Sequence, residues 1–225
     1  MLLTMAVARK KPAEFQRIAP DLPSDLTILE ALTSERLLSG EPIEDAIATG
    51  VDLAGIEIRS LQLVDVVLDG LGLAGATINS AHLRDVRLIH CDLSNSVWRG
   101  FEARRVEFVD CRLTGMKSMD CRWQDVLLEN CDARYLQIAD GIVRAGEFNG
   151  CRFDDADLRR ANLEGARFSA TTLSKADLSG ARLYGTDLRN ATLDGMIVRA
   201  EDVRGLRVNA AQALELSRLL GLVIE

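Results

Sequence analysis

The chain of 225 residues lacks most of what an enzyme or a membrane protein displays. It has two histidines, His82 and His90. It has no glycine-rich phosphate loop, no paired zinc ligands and no nucleophile motif. With so few groups suited to general acid–base work, the chain is not expected to be an enzyme, and no catalytic residue is assigned. No stretch approaches the roughly 18 apolar residues of a membrane span. Residues 1–11 place apolar side chains before basic ones, the reverse of a secretory leader. A cytoplasmic location without membrane contact is the expectation. The formal net charge is −7, yet no region is strongly charged: residues 51–208 carry 21 basic and 24 acidic groups, with Arg and Asp interspersed. That balance lacks the basic stripe that phosphate backbones require, so direct nucleic-acid binding is not expected.

What the sequence does contain is a period of five. From Leu53 to Val208, 32 positions spaced five apart are all apolar except Ser118, and sixteen of them are Leu. A helix repeats at 3.6 and a strand at 2, so neither produces this pattern. Numbering each pentad from Val51, position 3 is one inward site and position 1 a second, smaller one, held by Val51, Ile56, Leu61 and later by Ala156, Ala161 and Ala166. Positions 2, 4 and 5 are mostly polar. Gly recurs at position 5, including Gly55, Gly70, Gly75 and Gly165, as a tight corner favours. Where position 3 shrinks, position 1 grows: Phe101 accompanies Ala103 and Met116 accompanies Ser118, as a close-packed interior requires. Ala133 with Cys131 lacks this compensation, so a small cavity or a shifted neighbour is expected there.

The rhythm divides the chain into a leader or cap (1–45), a repeat region (46–208) and an ending (209–225). The leader holds all four prolines and a weakly helical stretch from Asp25 to Leu38. Glu201, the one charge at an inward position, marks the place where the last coil loosens. Asn209 and Gln212 have capping-box spacing, opening a helix that carries Ala213, Leu214, Leu216 and Leu220 and that Gly221 can end.

The runs Ala156-Asp157-Leu158, Ala161-Asn162-Leu163 and Ala176-Asp177-Leu178 resemble the A(D/N)LXX signature of the pentapeptide-repeat family. The resemblance implies an all-β solenoid: a right-handed quadrilateral β-helix with four pentads per coil, about eight coils, closed by a C-terminal capping helix. At a strand-like spacing of about 4.8 Å per coil, such a rod is about 38 Å long. The best-understood members bind type II topoisomerases such as DNA gyrase. They act as DNA mimics that protect the enzyme from drugs or toxins, which makes gyrase the named candidate partner. The reading adopted is a non-enzymatic rod that presents its surface to an unidentified protein partner, with the gyrase-binding DNA mimic as the alternative. The ending from Arg207 to Leu222 is similar to the helix through which some members dimerise. Leu219, Leu220, Leu222 and Ile224 are therefore assigned to a homodimer contact.

Two further expectations follow from a coil of four pentads. Cys91, Cys111, Cys131 and Cys151 fall in one interior column, with Cys121 elsewhere. A disulfide or metal ladder is the sharp reading. Small apolar side chains are the plainer one and the one adopted, so no metal or cofactor is expected. Sorted by side, Glu107, Asp110, Glu129 and Glu147 lie on one face with no base among them, bounded by Arg87 and Arg167. These four acids are the assigned partner-binding residues, suited to a cationic groove.

Overall fold

A period of five in the sequence becomes a corner at every fifth position in space. The computed structural model describes residues 16–29 and 34–220. Among these, every residue with positive φ has a number divisible by five, from Gly40 to Gly205. Thirteen are glycines and ten of the other seventeen are Asp or Asn, the residue types that tolerate left-handed backbone best. The corner is therefore a conformational requirement, met mostly by Gly, Asp and Asn and in seven places by other residues, among them Arg105, Tyr135 and Ala170.

The Asp or Asn at position 2 has an equally local cause. Its carboxylate or amide oxygen accepts the N–H two residues on: Asp52 from Ala54 (3.1 Å), Asp92 from Ser94 (2.9 Å), Asn162 from Glu164 (3.1 Å) and Asp177 from Ser179 (2.9 Å). Each is an Asx-type turn that starts the bend before the corner. In three pentads the Arg at position 4 returns its guanidinium to the same carboxylate: Arg134–Asp132, Arg159–Asp157 and Arg189–Asp187.

Stacking is parallel, and between Ile43 and Phe168 the offset between paired rungs is four pentads. Leu63 pairs with Leu83, Leu83 with Ala103, Ala103 with Trp123 and Trp123 with Val143. Four pentads thus make one coil, giving a right-handed parallel β-helix of about eight turns. The 9-residue strands Leu61–Asp69, Ala81–Ile89 and Phe101–Val109 cover two adjacent sides and bend at Asp65, Asp85 and Arg105.

Positions 1 and 3 fill one continuous shaft. Its widest side chains form two clusters: Trp98, Phe101, Phe108 and Trp123, then Phe148, Phe153 and Phe168. Compensation for small residues also runs between coils. The rung after Ala103 in its column is Trp123, and the rung after Ala133 is Phe153, whose ring lies 5.2 Å from Phe148 and 5.8 Å from Phe168. The missing partner volume beside Ala133 is thus supplied by the next coil.

The cysteine column does more than fill space. Cys91, Cys111, Cys131 and Cys151 are free and buried, and each Sγ donates to two carbonyls, those of residues 2 and 23 positions earlier. Thr171 continues the column and its Oγ1 repeats the pattern, to Phe148 (2.9 Å) and Ser169 (3.0 Å). In these five coils a small side chain places an S–H or O–H against those carbonyls, while Val51, Leu71 and Ala191 fill the same column without a donor.

Both ends are covered. Asn209 and Gln212 form a complete capping box on the helix Ala210–Leu216. The same side chains close the last coil: Gln212 Nε2 donates to Leu188 O and Ala191 O (both 2.7 Å) and Asn209 Nδ2 to Arg189 O (2.8 Å). The α-helix ends at Leu216, a 3-10 turn runs on to Leu220, and Gly221 lies outside the described residues. Glu201 faces solvent, as a loosened last coil implies. At the other end the expected helix over 25–38 is not formed as such. Thr27–Leu29 is a strand beside Ala46–Ala48, and among the described residues of that stretch only Ser34–Leu38 is helical. Thr-Ile-Leu finds an open sheet edge to pair with, and tertiary pairing overrides weak helix propensity.

The corners can be tested directly. At Gly55 φ is +70° and an added Cβ would meet nothing within 4 Å, so Gly55→Ala isolates backbone strain. It is expected to cost about 1 kcal/mol, and Ala170→Gly, at another corner with positive φ, to gain a similar amount. Urea-unfolding midpoints unchanged in both variants would show that the corner conformation carries no cost.

Candidate functional site

Outward side chains of a solenoid face water unless something lies over them. In the repeat region six outward positions are nonetheless buried: Asp85, Glu107, Asp125, Leu127, Ala145 and Gly185. Gly185 sits under the final coil and donates to Gly205 O. The other five cluster around one corner, and the segment lying over this region is the chain's own leader. The Ile18 N–H donates to Asp125 Oδ1 (3.2 Å) and the Asp21 N–H to Asp85 Oδ1 (3.0 Å). Asp85 and Asp125 lie two coils apart, about 9.6 Å, and three residues of extended chain span about 10 Å. The leader therefore runs extended along the rod axis, counter to the growth of the coils, before joining the sheet at Thr27.

The one cation of this segment, Arg17, is largely covered. Its guanidinium lies 3.1 Å from Glu107 Oε1 and 3.4 Å from Glu147 Oε2, two coils apart, with Leu127 on the rung between them. Arg87 pairs with Glu107 from one side (2.9 Å) and Arg167 with Glu147 from the other (3.6 Å). The column reads Arg87, Glu107, Leu127, Glu147, Arg167: an apolar step between two carboxylates, each flanked by an arginine. Reading the sequence one coil length at a time would have revealed this symmetry. What it could not reveal is that Arg17, far from Glu107 in the chain, comes to rest on it.

Of the four acids assigned to this face, Glu107 is 5% exposed and Glu147 is partly covered. Asp110 and Glu129 are exposed. Asp110 lies 3.9 Å from His90 Nε2, and Glu129 has no ion-pair partner among the described residues. Asp85 is tuned by the same corner. Burial pushes its carboxyl up, but the two-point contact with Arg105 and the Asp21 N–H outweigh this and hold it below the usual carboxylate range.

Both histidines have partners that the sequence did not disclose. His90 Nδ1 is 2.9 Å from Asp69, which raises its pKa. His82 lies 3.0 Å from Ser80 Oγ and 3.4 Å from Glu102. Serine, histidine and carboxylate in that order have the connectivity of a hydrolytic triad. However, the His82 and Glu102 side chains are each half exposed, and an open site bathed in water lacks the exclusion that makes such a trio effective. His82 and Glu102 border a shallow groove of about 700 Å³ whose lining includes Arg84, Arg104, Arg122 and Arg144. This side of the corner is cationic, whereas the side that Arg17 covers is acidic. Among the described residues no three His, Cys, Asp or Glu side chains group as a metal site would require. Burial pushes the Cys121 thiol up to about 11. No helix among the described residues is long and apolar enough to cross a membrane.

At the far end, Val203, Leu206, Val208, Ala213, Leu216 and Leu219 line an apolar recess of about 240 Å³. Leu219 is exposed beside it and Leu220 is in the 3-10 turn, while Leu222 and Ile224 lie outside the described residues.

Comparison with known proteins agrees with the geometry of the coils. Residues 81–158 match the family model for a pentapeptide repeat region, and residues 151–190 match that for pentapeptide repeats, in eight copies. The chain is a pentapeptide-repeat protein. No curated protein matches it. Among solved structures, this pentapeptide-repeat protein is similar to full-length QnrB1, a plasmid-mediated fluoroquinolone resistance protein, at 20% identity over 87% of this chain and 96% of that one, with a TM-score of 0.39. It is also similar to HetL, a pentapeptide-repeat protein involved in heterocyst differentiation regulation from the cyanobacterium Nostoc sp. strain PCC 7120. There the identity is 18%, the coverage 76% and 87%, and the TM-score 0.29. Identities and scores this low transfer neither partner nor activity.

The covered corner has a measurable pH signature. Because its native pKa is depressed, Asp85 contributes stability that is complete above the ordinary carboxylate range and lost as pH falls through the native value. Asp85→Asn is therefore expected to be less stable than wild type at neutral pH, with the gap closing as pH falls below about 4. A gap that stays constant from neutral to acid would remove the charge of Asp85 from the account.

Proposed function

We propose that this pentapeptide-repeat protein is a non-enzymatic binding rod that presents the face of Glu107, Asp110, Glu129 and Glu147 to a protein partner. The observation that carries this reading is that the face already holds a peptide: Asp85 and Asp125 accept its backbone N–H groups while Glu107 and Glu147 take its arginine. Asp110 and Glu129 extend the same surface as open carboxylates and set the long-range field that attracts a cationic partner. A type II topoisomerase such as DNA gyrase is the alternative partner, bound through mimicry of duplex DNA. Mimicry requires an unbroken run of free negative charge, and Arg87, Arg17 and Arg167 interrupt the run here. That interruption favours a partner with a discrete basic segment over a groove built for duplex DNA.

The test is capture on immobilised protein, with wild type compared against Asp110→Lys/Glu129→Lys, a pair that leaves the leader contacts intact. Capture by wild type is expected to fall at least tenfold in the variant and to weaken with salt. Capture indifferent to both would remove this face from the binding surface. A supercoiling titration with DNA gyrase, run to micromolar protein, decides the alternative: no change in supercoiling or in drug-induced cleavage excludes it.

The apolar recess at the C-terminal end is proposed as the contact of a homodimer through Leu219, Leu220, Leu222 and Ile224. Light scattering is expected to give twice the 24.7 kDa chain mass for wild type and the single mass for Leu219→Glu. A monomer mass for the intact chain rejects the dimer.

A further inference from the structure

Glu107, Leu127 and Glu147 are arranged as a receptor for one guanidinium. Leu127 is 8% exposed although it points outward, and it lies on the rung between Glu107 and Glu147, whose backbones are about 9.6 Å apart. That is enough room for a flat, weakly hydrated cation to lie over an apolar floor with a carboxylate at each end. An ammonium, compact and strongly hydrated, cannot meet both carboxylates at once. One corner away, Asp85 and Asp125 are 3% and 5% exposed and accept N–H groups from two positions of the bound segment, Asp21 and Ile18. The site therefore reads two features together: an arginine and an extended backbone with free N–H groups at the first and fourth residues after it. Residues 17–21, Arg-Ile-Ala-Pro-Asp, meet both demands, and Pro20 has no N–H to leave unpaired.

The same segment is only lightly held. Among the described residues 16–26, none pairs as a strand, and Ile18 points away with 60% exposure. Among the described residues, the hydrogen bonds and ion pairs of residues 17–21 with the rod are two backbone N–H bonds and those of one guanidinium. It stays in place because it is tethered at Thr27, which gives it an effective concentration that a free peptide must exceed.

We propose that this corner is an arginine-peptide binding site which the chain fills with its own residues 17–21, so that Arg17 acts as an intramolecular competitor of an arginine-bearing extended segment on the partner. The inference deepens the reading of the protein as a binding rod by naming the ligand chemistry and its regulation.

The experiment uses the full chain and a fluorescent peptide with the sequence of residues 14–24. Fluorescence anisotropy is expected to show at least tenfold tighter binding to Arg17→Ala than to wild type. In the Arg17→Ala background, Glu107→Gln/Glu147→Gln is expected to abolish that gain. A peptide with Lys in place of its arginine is expected to bind at least fivefold more weakly. Hydrogen exchange supplies a second reading that does not depend on peptide affinity: the Ile18 and Asp21 amides are protected in wild type and lose protection in Arg17→Ala, while the Leu83, Ala103 and Trp123 amides keep theirs. Equal peptide binding to wild type and Arg17→Ala, no binding to either, or amides of Ile18 and Asp21 that exchange freely in wild type would each overturn the proposal. The assay needs no partner. Absence of peptide binding thus removes this site and leaves the capture test standing, while failed capture with intact peptide binding removes the rod reading alone.

Discussion

A coil of four pentads must close on itself with its inward side chains filling the shaft, and every other feature of the molecule follows from that closure. Parallel stacking at a constant offset makes each rung repeat the backbone of the last, so the ladder bonds follow without further instruction. The interior then has a fixed cross-section, and total side-chain volume per rung becomes the constrained quantity. Ala103 is tolerated because Phe101 and Trp123 surround it, and Ala133 because Phe153 follows in its column. A lengthened pentad would rotate every later side chain out of the shaft, and no pentad between 51 and 208 is lengthened.

The same offset organises the surface. Side chains one coil apart in sequence are neighbours in space, so Arg105 reaches Asp85, Arg160 reaches Asp140 and Arg87 reaches Glu107. Exposed pairs of this kind contribute little individually. Their regularity nonetheless sets which carboxylates are paired and which, like Glu129, have no ion-pair partner among the described residues. Closing the ends requires different chemistry, because stacking stops there and a sheet edge is left open. At the C-terminal end Asn209 and Gln212 serve helix and coil at once. At the N-terminal end the chain pairs Thr27–Leu29 with the sheet and sends its preceding residues down the corner.

The two sides of that corner differ in sign, and this gives the leader its place. Beyond it on one side stand Arg84, Arg104 and Arg144; on the other stand Glu107 and Glu147. An arginine in the leader is drawn to the acidic side and held there by an apolar floor. The acidic face is therefore not a bare stripe: Arg17 lies over Glu107 and Glu147.

The period, the inward and outward assignment, the corner positions and the capping box were all legible in the order of residues, because each is set within a single pentad or helical turn. The candidate site was legible in part: Glu107 and Glu147 could be placed on one face from the coil length alone. Arg17 could not, since nothing local to it specifies so distant a destination, and a rhythmless segment with prolines carries no register. The pairing of Thr27–Leu29, the second role of the cysteines as donors and the partners of His82 likewise took shape only when the coils stacked. Contacts within a pentad are written in the order of its residues. Contacts between a free-running segment and a lattice of repeats depend on the summed field and shape of several coils, which exist only after the solenoid has closed.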